Sequence, residues 1–391
     1  MNSSSQPKRV VILGAGFGGL TVATELDPLA ATRKVFITLI DRKSDFQMGF
    51  APQWVLAGRR KAEDGRRSYQ MIAARRTHFM QAEVVSIDPV LKTVNTKSSQ
   101  VGYDYLVIAL GAEMAPELLP GLQGAGHDLH DMDAVVELKA ALEKIEKGTV
   151  AIAVSSTPFK CPPSPYEYAL IVDEVLRKRG MRPKVRVVLT TPEPQPIPLA
   201  GKAVSDAIKG MLAERAIDYR TGHKPAAVDA KTRRITYENG ASLAYDLLGA
   251  VYPQRAPKIA RDASLADASG FIPADLNTFE TSIPGVYAIG DCAALKLPDG
   301  RPHPKAGVFS EAQGVVLAKQ LGALALGGGE LARYTGMGVC YVDTGRDLAA
   351  ASDANLLAPG GPVFALAPPT KEGLTRKKQF ETERLKRWFG G

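Results

Sequence analysis

The chain has 391 residues, 45% of them hydrophobic and 23% charged, with 49 Lys and Arg against 41 Asp and Glu for a formal charge of +8. That length predicts two or three domains, and that composition supplies a large core and excludes a disordered chain. The mild positive balance suits anionic substrates, acidic partners or an anionic lipid surface, and suits ordinary solvated surface equally well.

The polar stretch 1–8 predicts no secretory segment, and no apolar run is long enough to cross a bilayer. Residues 9–13 form a short apolar run ending in glycines, followed by a helical pattern over 17–26 and a second apolar run, 35–40, closing on Asp41. Strand, glycine turn, helix, strand and acid open a parallel doubly wound sheet. Gly14-Ala15-Gly16-Phe17-Gly18-Gly19 fits G-x-G-x-x-G. Its glycines permit a tight turn and backbone approach to a pyrophosphate, while the helix N-terminus offers N–H groups and partial positive charge. Asp41, 22 residues after Gly19 and followed by Arg42, is placed to accept hydrogen bonds from ribose hydroxyls.

Strands are expected near 81–87, which includes Val84, and near 92–96. Residues 105–110 form a buried strand that stops at Gly111, and the Pro-Gly-rich stretch 116–126 crosses to a second domain. There a helix over 135–145 and a strand over 149–154 begin a similar pattern, which runs to about residue 254. The apolar strand 286–289 ends at Gly290-Asp291, and a helix over 308–324 follows as the first domain resumes. The remainder holds Cys340, an apolar Pro/Gly-rich loop and a basic tail. The expected fold is α/β, two Rossmann-like dinucleotide-binding domains with a C-terminal α+β segment: residues 1–115 and 268–325 in the first domain, 116–267 in the second, 326–391 in the segment.

Two further segments bear on the ligand. Residues 103–112, including Ala109 and Gly111, resemble the strand-glycine element that touches FAD in two-domain flavin oxidoreductases. Thr281-Ser282-Ile283-Pro284-Gly285-Val286-Tyr287-Ala288-Ile289-Gly290-Asp291 resembles their second FAD fingerprint, whose aspartate binds the ribitol chain. The resemblance implies FAD as cofactor, held by Gly14, Ala15, Gly16, Phe17, Gly18, Gly19, Asp41, Arg42, Val84, Ala109, Gly111, Gly290, Asp291 and Gly307. In the second domain, where such proteins receive NAD on another glycine turn, strand 149–154 is followed by Ser155-Ser156-Thr157-Pro158-Phe159-Lys160-Cys161. Side chains there block a pyrophosphate, and Pro158 has no N–H to offer. The next strand ends in Thr190-Thr191, without an acid. The second domain is expected to keep the architecture and lose the nicotinamide nucleotide.

Three cysteines are too few for a disulfide-stapled framework. None lies between residues 42 and 60, where reductases of the glutathione-reductase kind carry C-x4-C. Instead Cys161-Pro162-Pro163-Ser164-Pro165-Tyr166-Glu167, Gly338-Val339-Cys340-Tyr341, His303-Pro304-Lys305-Ala306-Gly307-Val308-Phe309 and Glu311-Ala312-Gln313-Gly314 resemble the sulfide-oxidising flavoproteins. These are the sulfide:quinone oxidoreductases and the flavin subunit of flavocytochrome c sulfide dehydrogenase, and the resemblance extends over nearly the whole chain. It implies that Cys161 and Cys340 face each other above the flavin as a disulfide, sometimes bridged by extra sulfur. Hydrosulfide would leave a persulfide on Cys161 and a thiolate on Cys340, which passes its electron pair to the flavin. Two separate buried thiols are the alternative. Many relatives carry a third cysteine near His130, and this chain does not. Arg42 and Lys43 occupy the region of the flavin-linking cysteine of flavocytochrome c. Cys292 is assigned to structure. Glu167 is a candidate proton relay or a helix-start carboxylate, and Lys305 a candidate cation at the flavin pyrimidine edge or a solvated lysine. No cluster has metal-ligand spacing, and no basic-aromatic pattern points to nucleic acid.

Residues 371–387 hold seven basic and three acidic residues, and Leu385, Trp388 and Phe389 fall at i, i+3 and i+4. That pattern suits a short helix at a membrane interface, through which quinone would enter, or a cap on the flavin domain. The leading expectation is a peripheral-membrane sulfide:quinone oxidoreductase, with sulfide and quinone as substrates. The alternatives are a sulfide dehydrogenase with a cytochrome c acceptor, a type II NADH dehydrogenase, disfavoured by the lost glycine turn, and a non-catalytic FAD-dependent interaction protein.

Overall fold

A computed structural model describes residues 6–390, so most of the polar N-terminal stretch lies outside the described residues. Lys8–Leu13 is the middle strand of a five-stranded parallel sheet. Val35–Asp41 and then Thr77–Gln81 lie on one side of it, and Tyr105–Ile108 and then Val286–Ala288 on the other. Val10 to Leu13 are all buried, a continuous apolar run, because the helices Phe17–Ala31 and Gly307–Ala325 help cover the sheet. The strand expected over 81–87 divides in two. Gln81 is the last residue paired in the parallel sheet, Ala82 N–H bonds Asp41 O, and Val84–Asp88 turns away into a small antiparallel sheet with Thr93–Thr96.

The second sheet is also parallel, in the order His127–Asp128, Leu247–Val251, Gly148–Val154, Val185–Thr190, Asp218–Arg220. One face buries Val150, Ile152 and Val154 with Tyr168, Leu170 and Ile171 of the helix Ser164–Lys178. The alternate residues Ala151 and Ala153 face a three-stranded antiparallel sheet through Val228, Ile235 and Tyr237. The fold is therefore α/β, two Rossmann-like units completed by an α+β segment. That segment is the antiparallel sheet Met337–Gly345, Leu348–Asn355, Val363–Leu366 and the helix Lys371–Phe389.

The terminal helix corrects the expectation that Trp388 and Phe389 face a membrane interface. It runs 19 residues, and the Thr370 hydroxyl caps its start by accepting Gly373 N–H at 2.9 Å. Trp388 is 0% exposed and Phe389 4%, both in the core of the first unit rather than on a surface. The Trp388 ring meets Phe17 edge-on at 5.2 Å and Phe46 at 5.3 Å. Much of the helix's charge is also used inside the protein. Glu381 pairs with Arg60 at 3.0 Å; Arg384 and Arg387 reach Glu311 at 2.9 and 2.8 Å, and Arg387 reaches Glu25 at 2.7 Å. Among the described residues no helix is long and apolar enough to cross a membrane.

Candidate active site

The glycine turn is dictated by close approach. Gly14 has φ +96°, and a Cβ there would stand 2.5 Å from the Ala109 carbonyl oxygen; a Cβ on Gly19 would stand 1.9 Å from the oxygen of Gly14. Nothing lies within 4 Å of the place a Gly16 Cβ would occupy, nor of Gly111, whose φ is +69°. That leaves open space in front of the turn. Asp41 stiffens the turn from behind: Oδ2 accepts Ala15 N–H at 2.7 Å and Oδ1 accepts Lys43 N–H at 2.9 Å, with exposed Arg42 between them in sequence. Val84 is half-buried against the same core. Across the sheet Gly290, at φ +74°, gives its N–H to Gln313 Oε1 at 2.8 Å. A Cβ on Gly307 would press the Phe17 ring at 3.1 Å.

Asp291 is the unsatisfied member. Its Oδ1 is buried without a hydrogen-bond partner, and burial pushes the carboxyl above its ordinary range despite the opposing charges of Lys305 and Lys160. An orphaned carboxylate oxygen across from an open glycine turn is what a hydroxyl-bearing dinucleotide would satisfy. Lys305 is buried. Its buried Nζ donates to the carbonyls of Asp291 at 2.8 Å and Ala293 at 3.0 Å, and lies 3.6 Å from the centroid of the Phe271 ring. It staples the 290–294 turn and is not the solvated lysine of the alternative expectation. Cys292 is buried, its thiol directed at the carbonyls of Ile289 and Ile108, in keeping with a structural role.

Cys161 sits on the return from the second sheet. Its N–H donates to Lys305 O at 2.7 Å, and its own carbonyl accepts Ser164 N–H at 2.8 Å. These bonds hold it at φ +56°, a left-handed conformation that costs a non-glycine residue about 1 kcal/mol. Three residues after Ser164, in the first turn of its helix, Glu167 points inward. Its Oε1 accepts Lys377 Nζ at 2.5 Å and Asp343 N–H at 2.7 Å, and its Oε2 accepts Gln53 Nε2 at 2.8 Å. Lys377 also reaches Gln53 Oε1 at 3.2 Å, and both charged side chains are 2% exposed. Asp343 lies on the strand that carries Cys340, so the ion pair ties together four stretches of the chain, at residues 53, 167, 343 and 377.

All three cysteines are free thiols, with Cys161 and Cys340 half-buried. Burial first and the Glu167 carboxylate second push Cys161 far above the ordinary thiol range. Lys377 pulls it back, and Cys340 adds to the push. The same burial and the same two charges put Cys340 at about 12. The two sulfurs thus share one electrostatic environment. Burial would depress Lys377, but Glu167 and Asp343 outweigh it and hold the ammonium charged.

Lys377, Gln53 and Asp343 escaped the sequence reading. Lys377 carried one signal: it falls on the apolar stripe of its helix, three residues after Leu374 and three before Phe380, where a solvated lysine does not belong.

Two parallel sheets and a glycine turn between strand and helix define a dinucleotide-binding fold of the oxidoreductase type. The chain belongs to the pyridine nucleotide-disulphide oxidoreductase family, which it matches over residues 8–314. It is 24% identical over 351 residues to the mitochondrial sulfide:quinone oxidoreductase of Mus musculus, covering 86% of this chain and 75% of the relative. It is 30% identical over 243 residues to the sulfide-quinone reductase of Aquifex aeolicus, covering 59% and 54%. The solved sulfide:quinone oxidoreductase of Aquifex aeolicus superposes with a TM-score of 0.87 at 22% identity, over 98% of this chain and 92% of that one, a likeness of fold.

Proposed function

We propose that the chain is an FAD-dependent sulfide:quinone oxidoreductase. The observation that carries the reading is the buried Glu167–Lys377 pair, which joins the helix start after Cys161 to the strand of Cys340 through the Asp343 N–H. The names of the curated relatives agree with it. FAD would lie with its pyrophosphate over the turn Gly14, Ala15, Gly16, Phe17, Gly18 and Gly19, and its adenosine ribose toward Asp41 and Arg42. Its ribitol would meet the orphaned Asp291 oxygen between Gly290 and Gly307, with Val84, Ala109 and Gly111 bounding the path. Bound there, FAD takes two electrons from sulfur and delivers them to quinone.

The residues do the sulfur chemistry. The structure has Cys161 and Cys340 as thiols, the reduced form; in the oxidised enzyme the two would be joined as a disulfide. Hydrosulfide attacks the Cys161 sulfur, a new sulfur–sulfur bond forms there, and Cys340 leaves as a thiolate holding the pair of electrons. Burial that raises the Cys340 thiol to about 12 makes its thiolate a stronger donor than that of an ordinary exposed thiol. Quinone takes up two electrons and two protons, one proton from hydrosulfide and one from solvent. The Lys377 ammonium, held by Glu167, favours the thiolate form at either cysteine.

Cys161→Ser and Cys340→Ser should each slow reduction of the bound flavin by sulfide about a thousandfold or more while flavin stays bound. Cys292→Ser should turn over normally. Fast sulfide reduction in either of the first two variants would refute the mechanism.

A further inference from the structure

Three buried or half-buried polar atoms without a hydrogen-bond partner occur at one edge of the second sheet: Ser155 Oγ, Gln254 Nε2 and His130 Nδ1. Ser155, 4% exposed, follows the strand Gly148–Val154, and its N–H donates to Val251 O at 3.0 Å. Gln254, 7% exposed, comes just after Leu247–Val251, and His130 just after His127–Asp128. Leu247–Val251 pairs in parallel with both of the other strands, so the three segments leave the sheet side by side at its C-terminal edge. A buried polar group left unmet is destabilising, so three of them at neighbouring strand ends call for a partner.

All three atoms can donate. Gln254 Oε1 accepts Lys160 N–H at 2.9 Å, which fixes the amide and leaves both Nε2 hydrogens unspent. The Ser155 hydroxyl rotates to suit a neighbour. His130 Nε2 lies 3.1 Å from Ser164 Oγ, and when it accepts there, Nδ1 carries the hydrogen. The half-exposed Lys160 ammonium adds charge, and it is felt by His130, Asp128 and Asp291. The one carboxylate bonded to this group, Asp128, already accepts His130 N–H at 2.9 Å through Oδ1. Cys161 stands between these contacts: Lys160 precedes it, and Ser164 N–H bonds its carbonyl.

We infer that Ser155, Gln254 and His130, with the Lys160 ammonium, hold a small sulfur anion, hydrosulfide or a short hydropolysulfide, against Cys161. The naming of sulfur rests on the sulfide-oxidising reading; the anion site rests on the donors alone. Charge-assisted bonds from several donors in a partly dehydrated recess favour an anion over a neutral molecule of the same size. The loop that lost its glycines has gained a serine, and the edge at which doubly wound sheets take their ligands takes a much smaller one.

The test compares iodoacetate with iodoacetamide on the anaerobically reduced holoenzyme, reading the two adducts on the Cys161 peptide by mass spectrometry. Both reagents need the same thiolate, so their ratio reports how the surroundings treat a negative charge. Gln254→Glu keeps the oxygen for Lys160 N–H and replaces only the NH2 group; the iodoacetate-to-iodoacetamide ratio at Cys161 should fall about tenfold or more. Ser155→Ala should lower it severalfold and raise KM for sulfide with kcat retained, while the ratio at Cys340 stays as in the wild type. Flavin absorbance confirms that each variant is folded. A ratio that falls while sulfide fails to reduce the wild-type flavin would keep the anion site and sink the sulfide reading. A ratio at Cys161 unchanged in both variants overturns the inference.

Discussion

His303 shows how a single side chain makes stability depend on pH. Its Nδ1 is 2.9 Å from Pro304 O and therefore carries the hydrogen, so Nε2 accepts the Tyr334 hydroxyl at 2.9 Å. Burial chiefly pulls the imidazole down to about 4; the Pro304 carbonyl opposes this and Lys305 reinforces it. The folded value is lower than that of a free histidine, so below about pH 6.5 the unfolded chain binds a proton that the folded one refuses. Stability is full above that pH and falls as pH drops toward 4. Between pH 7 and 5 the loss should be about 2 kcal/mol. Denaturant unfolding of wild type and His303→Phe at both pH values checks it: the variant should lose less on acidification, and equal losses would contradict the assignment. The sequence placed Cys161 and Glu167 in one motif because both are local to a single loop and helix start. It could not supply Lys377, 210 residues from Glu167, because only the fold brings that ammonium to the carboxylate.

The terminal helix marks where sequence periodicity stops being informative. Leu385, Trp388 and Phe389 establish an apolar edge, and the sequence shows that edge equally well for lipid and for protein. What decides is elsewhere in the chain: Phe17 and Phe46 offer rings to Trp388, and Glu25 and Glu311 offer carboxylates to Arg384 and Arg387. Trp388→Ala should therefore cost about 3–5 kcal/mol in denaturant unfolding, the loss for a fully buried large ring. An unchanged unfolding midpoint would return the residue to the surface. Deleting 371–391 should expose core and remove Lys377 from the cysteine recess together, so its effect on sulfide oxidation would not report membrane contact.

At the scale of the whole molecule, the α/β architecture was legible from glycine turns, apolar runs and their spacing, since each strand of a parallel sheet covered on both faces reads as continuous apolar sequence. The C-terminal segment was legible as a separate stretch but not as a strap. It lays the Cys340 strand against the helices Ser164–Lys178 and Gly307–Ala325 and buries Trp388 in the core of the first unit, a placement set by contacts distant in sequence. On the proposed reading sulfur, not a nicotinamide, is the electron source, as expected from the glycine-free stretch 155–161. The most direct measurement is anaerobic stopped-flow absorbance of the bound flavin. Stoichiometric sulfide should bleach it, decylubiquinone should then restore it, and NADH should leave it oxidised. Bleaching by stoichiometric NADH with no response to sulfide would contradict the account.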